Sequence, residues 1–299
     1  MVKRARPTIL LTGVSGQVGF ELMRTLQGLG KVVAADRSVL DLGDMDQIRR
    51  VLRDLKPALI VNPAAYTAVD QAESDVATAM RLNAEAPALL AEEAKRLGAR
   101  IVHYSTDYVF DGTQSAPYVE DDPVNPQNVY GASKLAGEQA VAQCGCDYLI
   151  FRTSWVYAAR SKNFLRTMLR LGAERDELSI VDDQFGAPTW ANTIAALTSN
   201  VLAQAMVGAA EDWDSWWNAH SGIYHLTASG DTSWHGFAST IFELSGLDRK
   251  PVLKPIPSAE YPTPAKRPAN SRLSCDKLEK VFGLRAPDWR DALQLCMAG

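Results

Sequence analysis

The chain has 299 residues, a net charge of −4 and 46% apolar residues. That length suits one large α/β domain or about two smaller ones, and the apolar share excludes a disordered chain. Lys and Arg are scattered, with short clusters only at Lys3 to Arg6 and Arg49-Arg50, so no basic face points to nucleic acid.

No apolar run approaches the roughly 18 residues needed to cross a bilayer. The basic N-terminus leads into a short strand-like run, without the long apolar stretch and cleavage site of a signal peptide. The four cysteines are Cys144, Cys146, Cys275 and Cys296. Their spacing suits neither zinc nor a disulfide, which leaves free thiols in a reducing cytoplasm.

Taken in chain order, Thr8 to Leu11 is an apolar run that meets Gly13. Val18, Leu22, Leu26 and Leu29 follow at helical spacing. Lys31 to Asp36 predicts a second strand, and Met45, Ile48, Val51, Leu52 and Leu55 predict a second helix stopped by Pro57. Ala58 to Asn62 is a third strand, Ser74 to Leu97 one long helix stopped at Gly98, and Arg100 to Thr106 a fourth strand. A proline-bearing loop, Asp121 to Asn128, precedes a helix from Tyr130 to Gln143 and a strand from Tyr148 to Thr153.

This alternation predicts a Rossmann-type, doubly wound parallel α/β sheet. It is expected over residues 1–156, with a segment near 187–222 packing back onto it. Residues 157–299 are expected to form mainly a smaller, irregular substrate lobe, because prolines cluster between Pro251 and Pro268. Glu211 to Gly222, with Trp213, Trp216 and Trp217, reads as a loop whose tryptophans pack on the body or form a partner patch.

Gly13, Ser15, Gly16, Gln17, Val18 and Gly19 lie in a glycine turn between a strand and a helix. Such a turn admits a pyrophosphate to backbone N–H groups at a helix N-terminus. Asp36 ends the second strand, where a carboxylate accepts from ribose hydroxyls and favours NAD. Arg37 beside it suits a 2′-phosphate and favours NADP, so use of both NADH and NADPH is expected. Asp41 and Leu42 fall where adenine would sit, although Asp41 also reads as a capping residue.

Tyr130 and Lys134 stand four apart at a helix start and share one face. A free phenol has a pKa of about 10, and a neighbouring ammonium is expected to lower it. The phenol can then give a proton to a carbonyl oxygen as hydride reaches carbon. Thr106, and Ser105 as its competitor on the opposite strand face, end the preceding strand near this pair. His103 reads as a packed core residue rather than a base, and His220, His225 and His235 lack metal spacing.

The stretches GVSGQVG from Gly13, VNPAAYTAVDQAE from Val61, HYSTDYVFDG from His103 and NVYGASKLAGE from Asn128 cover the first half. FRTSWVY from Phe151, DDQFGAPT from Asp182, YHLTASG from Tyr224 and RPANSRL from Arg267 continue them. In these the sequence resembles the extended short-chain dehydrogenase/reductases. The resemblance implies a cytoplasmic enzyme that reduces the 4-keto group of a dTDP-linked 6-deoxyhexose. It also implies catalytic roles for Tyr130, Lys134 and Thr106, with Lys134 also holding the nicotinamide ribose. Ala64, Ala65 and Tyr66 would line the cofactor through their backbone, with Tyr104 beside them. Asp107 and Trp155 would contact the sugar nucleotide.

Gln184 and Phe185 either line the sugar pocket or shape a turn. Arg267, near Asn270 and Ser271, either pairs with the diphosphate or forms a surface salt bridge. Pro63 has no N–H to offer the cofactor. Trp190-Ala191-Asn192 lacks the carboxylate with which some relatives hold Mg²⁺ between two subunits, which weakens the case for a metal. A monomer or a homodimer is expected. An epimerase or dehydratase of the same superfamily, or a non-catalytic NADP-binding relative, are the rival readings. Asp107-Tyr108 after Thr106 argues against the dehydratase, and the intact Tyr130, Lys134 and Thr106 favour an enzyme.

Overall fold

The computed structural model describes residues 6–298, apart from the side chains of residues 207–212. Lys3, Arg4 and the side chain of Glu211 therefore lie outside the described residues. The first half comprises β1 (Thr8–Leu11), α1 (Gln17–Thr25), β2 (Lys31–Ala34), α2 (Met45–Leu55), β3 (Leu59–Asn62), α3 (Val69–Ala72) and α4 (Val76–Met80). A π-helical turn (Arg81–Glu85) leads into α5 (Ala86–Leu97), then β4 (Arg100–Thr106), a 3₁₀ turn (Asp107–Val109), α6 (Val129–Gln143) and β5 (Tyr148–Thr153).

The second half holds β6 (Val156–Tyr157), α7 (Phe164–Glu174), β7 (Glu177–Val181), β8 (Phe185–Gly186), β9 (Thr189–Trp190) and α8 (Ala191–His220). It continues with β10 (Gly222–His225), β11 (Thr232–Ser233), α9 (Trp234–Leu244), β12 (Val252–Ile256), α10 (Asp276–Phe282) and α11 (Trp289–Ala298).

Six parallel strands form the main sheet in the order β10-β5-β4-β3-β1-β2. The inner strands begin apolar on both faces, as a doubly covered sheet requires, and carry their buried polar residues, among them Asn62, His103, Thr106 and Arg152, in their later parts. Ile9 and Leu11 face α1, α8 and α10 through Leu22, Ile194, Val201 and Leu278, whereas Leu10 faces α2, α5 and α6 through Ile48, Leu90 and Val141. Because β1 lies between β2 and β3, the winding reverses there, and the crevice beyond the strand ends is a topological switch point.

Local chemistry sets the helix ends. Asp44 accepts from the N–H groups of Asp46 and Gln47 at the start of α2, and Asn128 accepts from Gly131 at the start of α6. Gly98 closes α5 in the left-handed region. The expected helix over 74–97 is interrupted by the π turn, which places buried Asn83 against α6.

The tryptophan segment is not a loop. It forms the last part of the 30-residue α8, because Trp213, Trp216 and Trp217 recur at helical spacing and turn one face inward. Trp217 is fully buried, and Arg100, whose guanidinium lies over the Trp213 ring, bonds Asp147 and Asp214. Nor is the second half as irregular as its prolines suggest: α7, α9 and α11 share a core with β7, built on Met168, Ile180, Phe237 and Leu293. Among the described residues no helix is long and apolar enough to cross a membrane.

Two contacts seat α6 on the sheet. Arg152 of β5 donates from Nε to Glu138 of α6 at 3.0 Å and from Nη2 to its other oxygen, with both side chains 3% exposed. On the opposite flank Gly137 approaches the π turn so closely that a Cβ would lie 1.9 Å from the Asn83 carbonyl oxygen. Gly137→Ala is predicted to cost about 2–3 kcal/mol through overpacking, and Gly28→Ala, where a Cβ meets nothing within 4 Å, to change stability by less than about 0.5 kcal/mol. Glu138→Leu strands the Arg152 charge and is predicted to cost about 3–5 kcal/mol, most of it recovered in Glu138→Leu/Arg152→Met. Urea unfolding of the four variants checks both statements; equal midpoints for the single and double ion-pair variants would refute the second.

Candidate active site

A cavity of about 660 Å³ opens at the switch point, beyond the ends of β1, β3 and β4. Gly13 has φ +59°, and a Cβ there would lie 2.9 Å from the Ala64 backbone. A Cβ on Gly19 would lie 2.2 Å from the Gly13 carbonyl oxygen. Only glycine permits this turn, and α1 starts directly from it with Gly16 as its N-cap. Ser15, Gln17 and Val18 line the same wall. The first N–H groups of α1 lack partners within the helix, as phosphate binding requires.

One end of the cavity carries Asp36, Arg37, Asp41 and Leu42. The Asp36 carboxylate accepts from the Ser38 hydroxyl and N–H, which hold its pKa below the usual carboxylate value. Asp41 accepts from the Gly43 N–H. At the other end lie Tyr130, Lys134, Tyr104 and Ser105, with Ala64 and Ala65 between. Pro63 also lines this wall. These are the shape, the glycine cradle and the donor set that a dinucleotide needs.

Tyr66 departs from this picture. Its N–H donates to Asn83 Oδ1 at 2.8 Å and its carbonyl accepts from Asn83 Nδ2 at 3.1 Å, so its backbone is spent within the protein. Tyr104 borders the cavity, but its phenol turns to Thr198 of α8 at 2.9 Å.

The Lys134 ammonium is buried and donates to the Tyr104 carbonyl at 2.6 Å. Burial draws its pKa down to about 8, against the opposing pull of Glu138. Thr106 accepts from the Tyr108 N–H, donates to Asp107 at 2.9 Å and hydrogen-bonds Tyr130. Tyr130 itself is half-buried. Its pKa is raised rather than lowered: burial dominates, the Asp107 carboxyl adds to it, and the Thr106 bond opposes it. The expected lowering by Lys134 is absent: the ammonium donates to the Tyr104 carbonyl, and burial dominates at the Tyr130 hydroxyl. Burial also lifts Asp107 to about 6.

The residues expected to meet substrate fall into two groups outside the cavity wall. Arg267 pairs with Asp70 at 2.7 Å and reaches the Tyr108 hydroxyl at 3.5 Å, beside Thr106, Asp107 and the Tyr108–Tyr130 ring contact. Trp155, at φ +47°, stacks 3.6 Å from Trp234, and Gln184 bonds both Trp234 and Ser258. Residues 269–271 join the groups: Ser271 hydrogen-bonds Asp107, and its N–H donates to the Phe185 carbonyl.

Three contributors escape a reading of sequence alone. Asn83 clamps the segment after β3 to Ser133 of α6. Asn163 Nδ2 shares its two hydrogens among Gln17 Oε1 and the carbonyls of Ala158, Arg160 and Ser161, which carries Ser161 and Lys162 to the cavity. His103 touches Lys134, although its strand pattern matches a core residue. An Asn inside a helix heptad and a His inside a strand give no distinguishing signal. Asn192 donates to the Glu21 carboxylate at 3.1 Å, and among the described residues no three His, Cys, Asp or Glu cluster as metal ligands.

The family described as "RmlD substrate binding domain" matches residues 7–299. The chain is 55% identical over 295 residues to a dTDP-4-dehydrorhamnose reductase of Burkholderia thailandensis, covering 97% of each chain. It is 44% identical over 290 residues to that of Escherichia coli K12, covering 94% of each. The crystal structure of dTDP-4-dehydrorhamnose reductase from Bacillus anthracis in complex with NADP superposes with a TM-score of 0.89 at 33% identity, over 98% of this chain and 99% of that one. Matches of this length and identity show that the chain belongs to the RmlD substrate binding domain family of nicotinamide-dependent oxidoreductases, alongside the dTDP-4-dehydrorhamnose reductases.

Proposed function

We propose that this enzyme reduces the C4 keto group of dTDP-4-dehydro-6-deoxy-L-mannose to give dTDP-L-rhamnose. The observation that carries the reading is the convergence of Tyr130 and Lys134 on the wall of a dinucleotide-sized cavity, with Thr106 hydrogen-bonded to Tyr130 from just beyond that wall. A nicotinamide cofactor bound along this wall would supply the hydride for C4. Tyr130 gives its proton to the C4 oxygen, Thr106 holds both that oxygen and the phenol, and the Lys134 ammonium holds the nicotinamide ribose and stabilises the phenolate.

The glycine turn holds the pyrophosphate. Asp36 and Arg37 offer a ribose acceptor and a phosphate partner side by side, which supports use of both NADH and NADPH. Asp107, Trp155, Gln184 and Arg267 hold the sugar nucleotide, with Arg267 exchanging Asp70 for the diphosphate. Residues 1–156 serve as the dinucleotide-binding domain, with 187–222 packed onto it, and 157–299 mainly as the substrate lobe. The working form is a monomer or homodimer in the cytoplasm.

Tyr130→Phe is predicted to lower kcat about 10²- to 10⁴-fold while leaving NADPH affinity within about threefold. Near-normal turnover would sink the proton-donor role. The Lys134 pKa near 8 sets the direction of the pH dependence. The ammonium is present below that value and lost as pH rises through it, so kcat/KM for the sugar should fall on the alkaline side of about pH 8. A profile flat from pH 7 to 9.5 would count against the charged role of Lys134.

A further inference from the structure

Behind Lys134 lies a line of buried polar side chains drawn from three neighbouring strands, whose far end, Thr12, borders the cavity. Asn62 of β3 sits opposite His103 of β4, and both are fully buried. Thr12, the residue after β1, donates to Asn62 Oδ1 at 2.6 Å. Asn62 Nδ2 lies 3.2 Å from His103 Nδ1, and His103 Nε2 lies 3.5 Å from Lys134 Nζ. Buried polar groups cost stability unless paired, and apolar side chains fill such positions at lower cost. A histidine aimed at the reactive lysine therefore calls for a role.

We propose that His103 is a positioning residue for Lys134, holding its ε-nitrogen in place in both of its protonation states. The inference rests on the reductase reading above. An ammonium has three donors. The Tyr104 carbonyl takes one, His103 Nε2 takes a second, and the third remains for the cavity. In that state the single ring hydrogen of neutral His103 is on Nδ1 and the Asn62 carboxamide presents its oxygen to it.

When Lys134 is an amine, the ring hydrogen sits on Nε2 and points at it. Asn62 then donates to Nδ1 and accepts from Thr12, the arrangement its contacts describe. Burial and the Lys134 charge hold His103 neutral, so the ring is always able to fill one of these two roles. An imidazole between a carboxamide and an amine suits both; an apolar side chain suits neither.

Three substitutions separate positioning from packing. His103→Leu keeps the volume but can bond neither neighbour. His103→Asn keeps the bond to Asn62 and is too short for Lys134. His103→Gln reaches Lys134 and can present either end of its amide. With wild-type folding checked by the thermal midpoint of the cofactor-free protein, Leu and Asn are expected to lower kcat about 10- to 100-fold with little change in KM for the sugar. Both should also weaken NADPH binding, read by fluorescence titration without turnover, and Gln should restore both quantities to within about threefold. Should Leu fail to fold, the Asn–Gln comparison decides alone. A folded Leu or Asn variant with wild-type kcat and NADPH affinity, or a Gln variant no better than Asn, would overturn the inference. Wild-type turnover measured alongside reports on the reductase reading itself.

Discussion

The placement of α6 depends on one buried ion pair, Arg152 with Glu138, in which a strand grips a helix through two parallel hydrogen bonds. Taking both charges out of water is costly, and the pair holds because its remaining groups are also used. Arg152 Nη1 donates to the Glu120 carbonyl, and the Glu120 carboxylate accepts from the His225 N–H on β10. The network thus ties α6, β5, β10 and the loop before α6 into one unit. Glu138 also stands one turn beyond Lys134 and partly offsets the burial that pulls the Lys134 pKa down. The same carboxylate therefore fixes where the helix sits and how readily its lysine keeps a proton.

On the other flank of α6 the constraint is steric. Gly137 lets the π turn come close, and the extra residue of that turn puts Asn83 where it can hold Tyr66 and Ser133 together. A regular helix over the same residues would rotate Asn83 away from one partner. The wall of the cavity after β3 and the helix that bears Tyr130 are in this way a single rigid piece. Preorganisation of this kind is what a hydride transfer needs, since misplacement of the reacting groups by an ångström costs orders of magnitude in rate.

Much of this architecture was legible in the chain because its periods are strong. The strands from Thr8, Leu59, Arg100 and Tyr148 each carry a short apolar run, and their helices carry clear stripes. The glycine turn and the Tyr130–Lys134 spacing were equally plain, since a turn needing φ above zero and a four-residue helical interval are local facts. What stayed hidden depends on tertiary placement. Trp213, Trp216 and Trp217 lie among acidic and small residues, so the polar surroundings masked a helix end that packing against the sheet edge stabilises. Tyr66 stands beside Ala64 and Ala65 in sequence, yet Asn83, distant in the chain, claims its backbone. The contact of His103 with Lys134 exists only because strand and helix stack.

The direction of the Tyr130 shift sharpens the chemical reading. A phenol raised by burial keeps its proton throughout the physiological range, which is what an acid must do before hydride arrives. On the proposed mechanism, donation becomes favourable only as positive charge gathers beside it. Part of that charge is the Lys134 ammonium, and an oxidised nicotinamide bound beside it would supply the rest. The buried Asp107 carboxyl works in the opposite sense, and burial raises its own pKa to about 6. Thr106 bonds both Asp107 and Tyr130, so a sugar hydroxyl or carbonyl that enters this group alters the two acids together. The proton is therefore governed by the whole cluster, in which Lys134 is held from behind by His103 and Tyr104.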